Sequence, residues 1–268
     1  MQGKIKKLRL YFKRSFLVLI FYNDFFRVFN GRILNMCDKK ISNLLDRIVE
    51  YVKTQNIIYD TPNRDGRINS SINEGQIIDK LVDFFQHDTY LLSNNFEIKL
   101  PSARDWYDFG VVQKGDDDFF VPVNIKVTAL STDNLNCKLG IYFALTGLLP
   151  VGLSNEIVWN EFFKQLHDNI NTRQDRDYYF LIANKKDNTD CFWNSLKSLQ
   201  NLVANGNNLP FQANWAKNRD KVNRTHNEAG YFILNCFKES VYKRAEIRDS
   251  FQQYVEPHLA KYESNIKK

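Results

Sequence analysis

A carboxylate and a lysine frame a predicted β-hairpin near the middle of the chain. In the segment Arg104–Val127, two apolar runs flank a polar turn. Asp108 precedes the first run, and the triplet Asn124-Ile125-Lys126 closes the second. Because an antiparallel hairpin places the start of its first strand beside the end of its second, we expect Asp108 to lie opposite residues 123–125.

Side chains alternate along a strand, so Asn124 and Lys126 are expected on one face and Ile125 on the other, toward a core. The result is a carboxylate, an amide and an ammonium group at one edge of a sheet. Hydrolysis of a phosphodiester needs such a set, because a divalent cation bridges a carboxylate and a phosphate oxygen while a cationic side chain orients water or stabilises the phosphate. Oxygen ligands without a His or Cys cluster favour Mg²⁺.

The elements that must position this hairpin are predicted from hydrophobic periodicity. Their order predicts an α/β fold in which a mixed central β-sheet is flanked by helices. Residues 60–71 are expected to form a loop, and residues 184–227 have a mixed pattern. We expect helices over 41–52, 74–85, 134–148, 155–169 and 226–262, the last broken at Pro257, and strands over 96–100, 109–112, 119–125 and 177–183.

The residues at the mouth of the hairpin resemble the PD-(D/E)xK motif of type II restriction endonucleases. The resemblance covers about residues 70–185 and implies a restriction-endonuclease-like fold. It implies that Asp108 binds the metal, that Lys126 is the catalytic lysine and that the backbone carbonyl of Ile125 supplies a further metal ligand. Glu74, on the preceding predicted helix, matches the acid that this superfamily often carries there, and is expected to serve in catalysis and metal binding.

Two positions depart from that pattern. Tyr107 stands where a proline would precede the acid, and Asn124 replaces the second acid of the motif. An amide oxygen can ligate a metal but contributes no charge, and some restriction enzymes of this fold resemble the chain in using an Asn-x-Lys version. Glu74 or Asp105 is a candidate for the missing carboxylate. Glu74 can equally be an acid that interacts favourably with the N-terminal end of its helix.

A basic segment over residues 214–224 is a candidate DNA-binding element. Arg and Asn side chains can hydrogen-bond base edges, and Lys neutralises phosphates; the alternative is a solvated basic loop. The helix that follows the motif is expected to add a phosphate contact at its start. The candidate residues are Lys138, Lys217, Arg219, Lys221, Asn223 and Arg224.

The basic character of the chain comes from its first 35 residues. These hold eight Lys or Arg residues and one acid, so the net charge of +6 does not by itself indicate nucleic-acid binding. The apolar run 16–22 is too short to span a membrane. We expect residues 1–35 to be an upstream extension, a loosely attached arm or a basic helix on a membrane surface. Residues 36–268 are expected to form a single nuclease domain, with DNA-recognition elements in about 184–268.

The four cysteines are far apart and form no CxxC pair, which argues against a zinc ribbon or a thioredoxin-type site and fits a cytoplasmic location. The resemblance implies site-specific, Mg²⁺-dependent cleavage of double-stranded DNA that leaves a 5′-phosphate and a 3′-hydroxyl. It also implies a homodimer and a cognate DNA methyltransferase as a functional counterpart, with no membrane partner. Two alternatives stay open: a DNA-binding protein that is weak or inactive as an enzyme because of Asn124, and a DNA repair or recombination nuclease.

Overall fold

The computed structural model describes residues 38–59, 66–102, 105–154, 156–256 and 258. The predictions for residues 1–35, for the first half of the 60–71 loop and for the break at Pro257 lie outside the described residues. The chain divides into two compact units, Met1–Leu45 and Asp46–Lys268. The first unit is described only for residues 38–45, which are helical.

Helices and strands alternate along the described chain. Of the described helices, none has a stretch that is both long enough and apolar enough to cross a bilayer. The helices are α1 (38–54), α2 (Gly66–His87), α3 (Thr89–Ser93), α4 (Lys138–Thr146), α5 (Trp159–Asn169) and α6 (His226–Tyr254), with short 3₁₀-helices at Leu196–Ser198 and Trp215–Asn218. The strands are β1 (Phe96–Lys99), β2 (Phe109–Gln113), β3 (Asp116–Thr128), β4 (Thr132–Leu135), β5 (Tyr179–Asn184), β6 (Cys191–Ser195), β7 (Leu202–Val203) and β8 (Phe211–Asn214).

The central sheet is mixed, as the sequence pattern predicts. Its strand order is β1-β2-β3-β5-β6; β3 and β5 run parallel, and the other neighbouring pairs are antiparallel. β2 and β3 form the predicted hairpin, with Phe109 opposite Val123. Their connection contains Gly115 at φ = +89°, a conformation that glycine adopts without a steric cost. This register puts Asp108, which precedes Phe109, beside residues 123–125.

Both faces of the central sheet are covered. β5 is buried along Tyr179–Ala183, the pattern typical of a strand between two layers. On one face, Phe180 and Ile182 belong to a core shared with apolar residues of α4, α5 and α6. Helix α2 contacts β1 and β3. The prediction of an α/β fold with a mixed central sheet flanked by helices is therefore confirmed.

A second sheet, of three antiparallel strands in the order β4-β8-β7, does not appear among the sequence-based expectations. β4 includes residues 134 and 135, so the prediction of a helix over 134–148 is wrong for its first residues, and α4 begins only at Lys138. Leu135 is the single buried residue of β4, so the strand carries no hydrophobic alternation. Its pairing with Phe211–Asn214, far along the chain, decides its conformation.

Two other expectations also need correction. Residues 66–71, expected as a loop, form the first turns of α2. The acids Asp116–Asp118, expected in the hairpin turn, lie in β3, and Asp118 pairs there with Arg173 at 2.6 Å. The segment 184–227, whose sequence pattern is mixed, contains β6, β7 and β8.

Helix α4 approaches the start of β5 closely at Gly140. A Cβ atom at this position would lie 2.5 Å from Cδ1 of Tyr178, whose side chain is buried. The hydroxyl of Tyr178 donates a hydrogen bond to the carbonyl oxygen of Trp106 at 2.6 Å. Because Trp106 precedes Asp108 by two residues, the absence of a side chain at Gly140 lets a buried ring support the segment that leads to Asp108.

The substitution Gly140→Ala is expected to lower the free energy of unfolding by about 1–3 kcal/mol, because the added methyl group overlaps a buried ring. Urea-induced unfolding measures the change. Gly75→Ala is the matched control, since Gly75 also lies in a helix but has no atom within 4 Å of its added Cβ. The control is expected to stabilise the fold by up to about 1 kcal/mol, and similar effects of the two substitutions would contradict the close contact.

Candidate active site

Asp108 lies where β3 continues past the start of β2. Its backbone N–H donates to the carbonyl oxygen of Val123 at 2.9 Å. Its Oδ2 accepts a hydrogen bond from the N–H of Ile125 at 2.6 Å. β2 begins at Phe109, which pairs with Val123, so Ile125 has no partner in β2. The Asp108 carboxylate accepts the hydrogen bond from its N–H group instead.

The carbonyl group of Ile125 faces the same side of β3 as its N–H group. In an antiparallel pair, the N–H and C=O groups of one residue bond to the same neighbouring strand, so both point toward that strand. Since the N–H of Ile125 reaches the Asp108 carboxylate, the carbonyl oxygen of Ile125 is directed toward the same region beside β3. Two oxygen atoms of the kind that bind metal ions, one from a side chain and one from the backbone, thus lie on one side of this strand.

Asn124 and Lys126 lie on one face of β3, because residues two positions apart in a strand point the same way. Ile125 between them is fully buried on the other face, whereas both polar side chains are half-buried. Lys126 lines a pocket together with Glu74 of helix α2. The four residues that the sequence assigns to catalysis are therefore all at this end of the hairpin.

The two carboxyl groups of the site have raised pKa values. For Glu74, burial is the main cause and the negative charge of Asp108 adds to it, which brings the pKa to about 7 against the opposing charge of Lys126. Burial also raises the pKa of Asp108, although the N–H of Ile125 and the charge of Lys126 oppose this rise. Glu74 is therefore partly protonated at neutral pH, and a cation near both acids would favour their ionised forms.

The pocket beside Glu74 and Lys126 has a volume of about 280 Å³. The rest of its lining, called the far wall below, comes from the end of β3, the connection to β4, β4 itself and the residue after β5. Lys185 in this wall is absent from the sequence-predicted site, although a signal exists: it follows the predicted strand 177–183, which in the fold runs parallel to β3. Parallel strands end at the same edge of a sheet. The polar residues of the far wall are Thr128, Ser131, Asp133, Asn134 and Lys185.

The donors at the site fit a magnesium ion better than a softer metal. Glu74, Asp108 and the Ile125 carbonyl offer hard oxygen atoms, which Mg²⁺ prefers, and Mg²⁺ is usually held by one or two carboxylates together with several waters. Within the described residues, no group of three His, Cys, Asp or Glu side chains is arranged to hold a metal. A magnesium ion here would therefore rely on two carboxylates, a backbone carbonyl and water.

Three of the candidate DNA-binding cations donate hydrogen bonds within the protein. Arg219 pairs with Asp190 at 2.8 Å. Arg224 donates to two backbone carbonyl oxygens, the shorter bond being 2.8 Å. The ammonium group of Lys138 donates to the carbonyl oxygen of Ile157 at 2.6 Å. Part of the donor capacity of these three side chains is therefore used within the protein.

The remaining candidates are all exposed but differ in their contacts within the protein. The ammonium nitrogen of Lys221 lies 3.5 Å from the centre of the Trp193 ring, and desolvation lowers its pKa. The side chains of Lys217 and Asn223 have no hydrogen-bond or ion-pair partner among the described residues. These two side chains are therefore available to an external partner.

The substitution Glu74→Gln is expected to stabilise the fold at alkaline pH. The pKa of Glu74 rises from 4.5 to about 7 on folding, so this carboxyl group destabilises the folded state as the pH increases through that window. The gain in the free energy of unfolding should be at most about 3 kcal/mol at pH 8 and should vanish near pH 4. Urea unfolding at the two pH values measures it.

The exposed Glu97 on β1 provides the matched control. Glu97→Gln should give no gain that grows between pH 4 and pH 8, because its side chain is not buried beside another acid. A Glu74→Gln gain of equal size at both pH values would contradict the raised pKa.

The chain matches no protein-family model, and no curated protein sequence shows significant similarity to it.

Proposed function

We propose that the protein is a Mg²⁺-dependent endonuclease that cleaves double-stranded DNA at specific sites, on a restriction-endonuclease-like fold. The observation that carries the proposal is the meeting of three groups beside an open pocket: the Asp108 carboxylate, the Glu74 carboxyl group and the Lys126 ammonium group. Hydrolysis of a phosphodiester calls for these group types, because negative charge must be offset at both the attacking water and the phosphate.

Each residue has a distinct role in this proposal. Glu74, Asp108 and the carbonyl oxygen of Ile125 would hold the magnesium ion, which lowers the pKa of bound water and offsets phosphate charge when it is present. Lys126 donates a hydrogen bond to the attacking water or to a phosphate oxygen and so stabilises the charge that develops there. Asn124, on the same face as Lys126, can orient a water or a phosphate oxygen without adding charge.

The electrostatics of Glu74 explain how the site can work with an amide at position 124. Burial, together with the charge of Asp108, already raises the pKa of Glu74 to about 7 with an amide at position 124, and a third carboxylate there would add further repulsion. A divalent cation favours the ionised form of Glu74 and releases its proton, so metal binding becomes stronger as the pH rises through this value. The replacement of an acid by Asn124 is therefore compatible with a functional metal site.

The finer parts of the proposal rest on the resemblance to restriction endonucleases. They are cleavage to a 5′-phosphate and a 3′-hydroxyl, a homodimer, and a cognate methyltransferase that protects the host DNA. A homodimer fits because a two-fold symmetric protein matches the two-fold symmetry of a palindromic site.

Incubation of supercoiled plasmid with the protein, with and without Mg²⁺, tests the proposal. We expect discrete fragments that require Mg²⁺. Asp108→Asn and Lys126→Ala should each lower the cleavage rate by about 10²–10⁴-fold, because each removes a group that stabilises the transition state. Isothermal titration with Mg²⁺ should show weaker metal binding for Asp108→Asn and little change for Lys126→Ala.

Controls for these variants lie at the opposite end of the same hairpin. Asp117→Asn and Lys114→Ala change the same charges at exposed positions, and both should cleave like the unmodified protein. Smeared products or cleavage of branched DNA would indicate a repair or recombination nuclease instead. DNA binding without any Mg²⁺-dependent cleavage would indicate an inactive DNA-binding protein on this fold.

A further inference from the structure

We infer that Lys185, in the far wall of the pocket, forms a subsite for a backbone phosphate of DNA next to the phosphate that is cleaved. This inference rests on the proposed function, because it assigns part of the substrate to the same pocket. Lys185 lines the same pocket as Glu74 and Lys126. The charge of Lys126 acts on the carboxyl groups of Glu74 and Asp108, which places this first lysine beside them. Lys185 is a second lysine in the lining.

The parallel pairing of β3 and β5 brings the two lysines to one edge of the sheet. Lys126 is paired with Ile182, and the backbone N–H of Lys185 donates to the carbonyl oxygen of Thr128 at 2.9 Å. Lys185 is therefore fixed three residues beyond the partner of Lys126, which separates the two Cα atoms by roughly 10 Å along the strands. This separation allows the two lysines to contact different phosphates of one strand.

The charge of Lys185 is available to a ligand. Its side chain is exposed and forms no ion pair with any residue that the structure describes. Asp133 also lines the pocket, but both of its oxygen atoms accept hydrogen bonds from hydroxyl groups, at 2.5 Å from Thr128 and 3.3 Å from Ser131. Arg219, by contrast, is already paired with Asp190 at 2.8 Å. Lys185 is therefore the more available phosphate contact.

Asn134 adds a neutral donor to the same wall. Its Oδ1 accepts a hydrogen bond from Nε2 of Gln212 at 2.9 Å, which directs the amide oxygen toward the second sheet. The amide NH₂ group has no partner among the described residues, and the side chain lines the pocket. An ammonium group with a nearby amide donor is the kind of environment that a phosphate oxygen prefers.

The neighbouring Lys186 gives a matched control for Lys185. It is the next residue, it is also exposed, and it does not line the pocket. Substituting either lysine removes the same charge from nearly the same place on the surface. A difference in DNA affinity between the two variants is therefore due to the position of Lys185 in the pocket rather than to the general charge of this region.

Binding of a fluorescently labelled DNA duplex of mixed sequence, measured by anisotropy in Ca²⁺ at several NaCl concentrations, tests the inference. Lys185→Ala should weaken binding by about 3–10-fold at low salt and reduce the slope of log affinity against log salt by about 1, as expected for the loss of one phosphate contact. Lys186→Ala should behave like the unmodified protein, and Lys185→Arg should restore most of the affinity. In cleavage assays with Mg²⁺, Lys185→Ala should raise KM several-fold and leave kcat unchanged.

Equal effects of Lys185→Ala and Lys186→Ala, or unchanged binding by Lys185→Ala, would overturn the inference. A loss confined to kcat would also overturn it, because a phosphate outside the reaction contributes to binding alone. The two proposals fail in different ways. If Lys185→Ala reduces the salt dependence of DNA binding but no Mg²⁺-dependent cleavage is seen, the subsite is supported and the nuclease is refuted. If Mg²⁺-dependent cleavage is seen but Lys185→Ala changes neither binding nor cleavage, the nuclease is supported and the subsite is refuted.

Discussion

The hydrogen bond from the backbone of Ile125 to the side chain of Asp108 is the interaction on which the candidate active site depends. β3 extends past β2 at this point, so the N–H of Ile125 would otherwise lack a strand partner, and unpaired backbone groups in a part-buried setting are costly. The Asp108 carboxylate satisfies this group at 2.6 Å and is thereby held next to Lys126. The hydrogen bond that satisfies the Ile125 N–H group thus also positions the acid that the proposed chemistry needs.

The parallel pairing of β3 and β5 places the pocket at the carboxyl ends of these two strands. In open α/β sheets, ligands bind outside the carboxyl ends of parallel strands, because the connections that follow these strands form a crevice there. In this protein the pocket at these strand ends is lined by Glu74 of α2, by the turn into β4 and by Lys185 after β5. The pocket therefore combines residues from elements that are far apart in the chain.

The sequence was sufficient to predict the hairpin, its register near Asp108 and the buried strand β5, because each depends on local alternation or on a continuous apolar run. It was insufficient for β4, whose exposed residues carry no pattern and whose conformation depends on pairing with β8. The ion-pair partners of the basic segment also cannot be predicted from a sequence pattern, since the Arg219–Asp190 pair joins residues that are 29 positions apart. Lys185 could have been found by combining the end of a predicted strand with the parallel topology.

The close approach of Gly140 to the ring of Tyr178 links two positions that are distant in the sequence. A larger residue at 140 would fit only beside a smaller side chain at 178, and that change would remove the hydroxyl that holds the carbonyl group of Trp106. These positions are therefore expected to evolve as a coupled pair, so that in diverging descendants of this chain a substitution at one would be accompanied by a compensating substitution at the other.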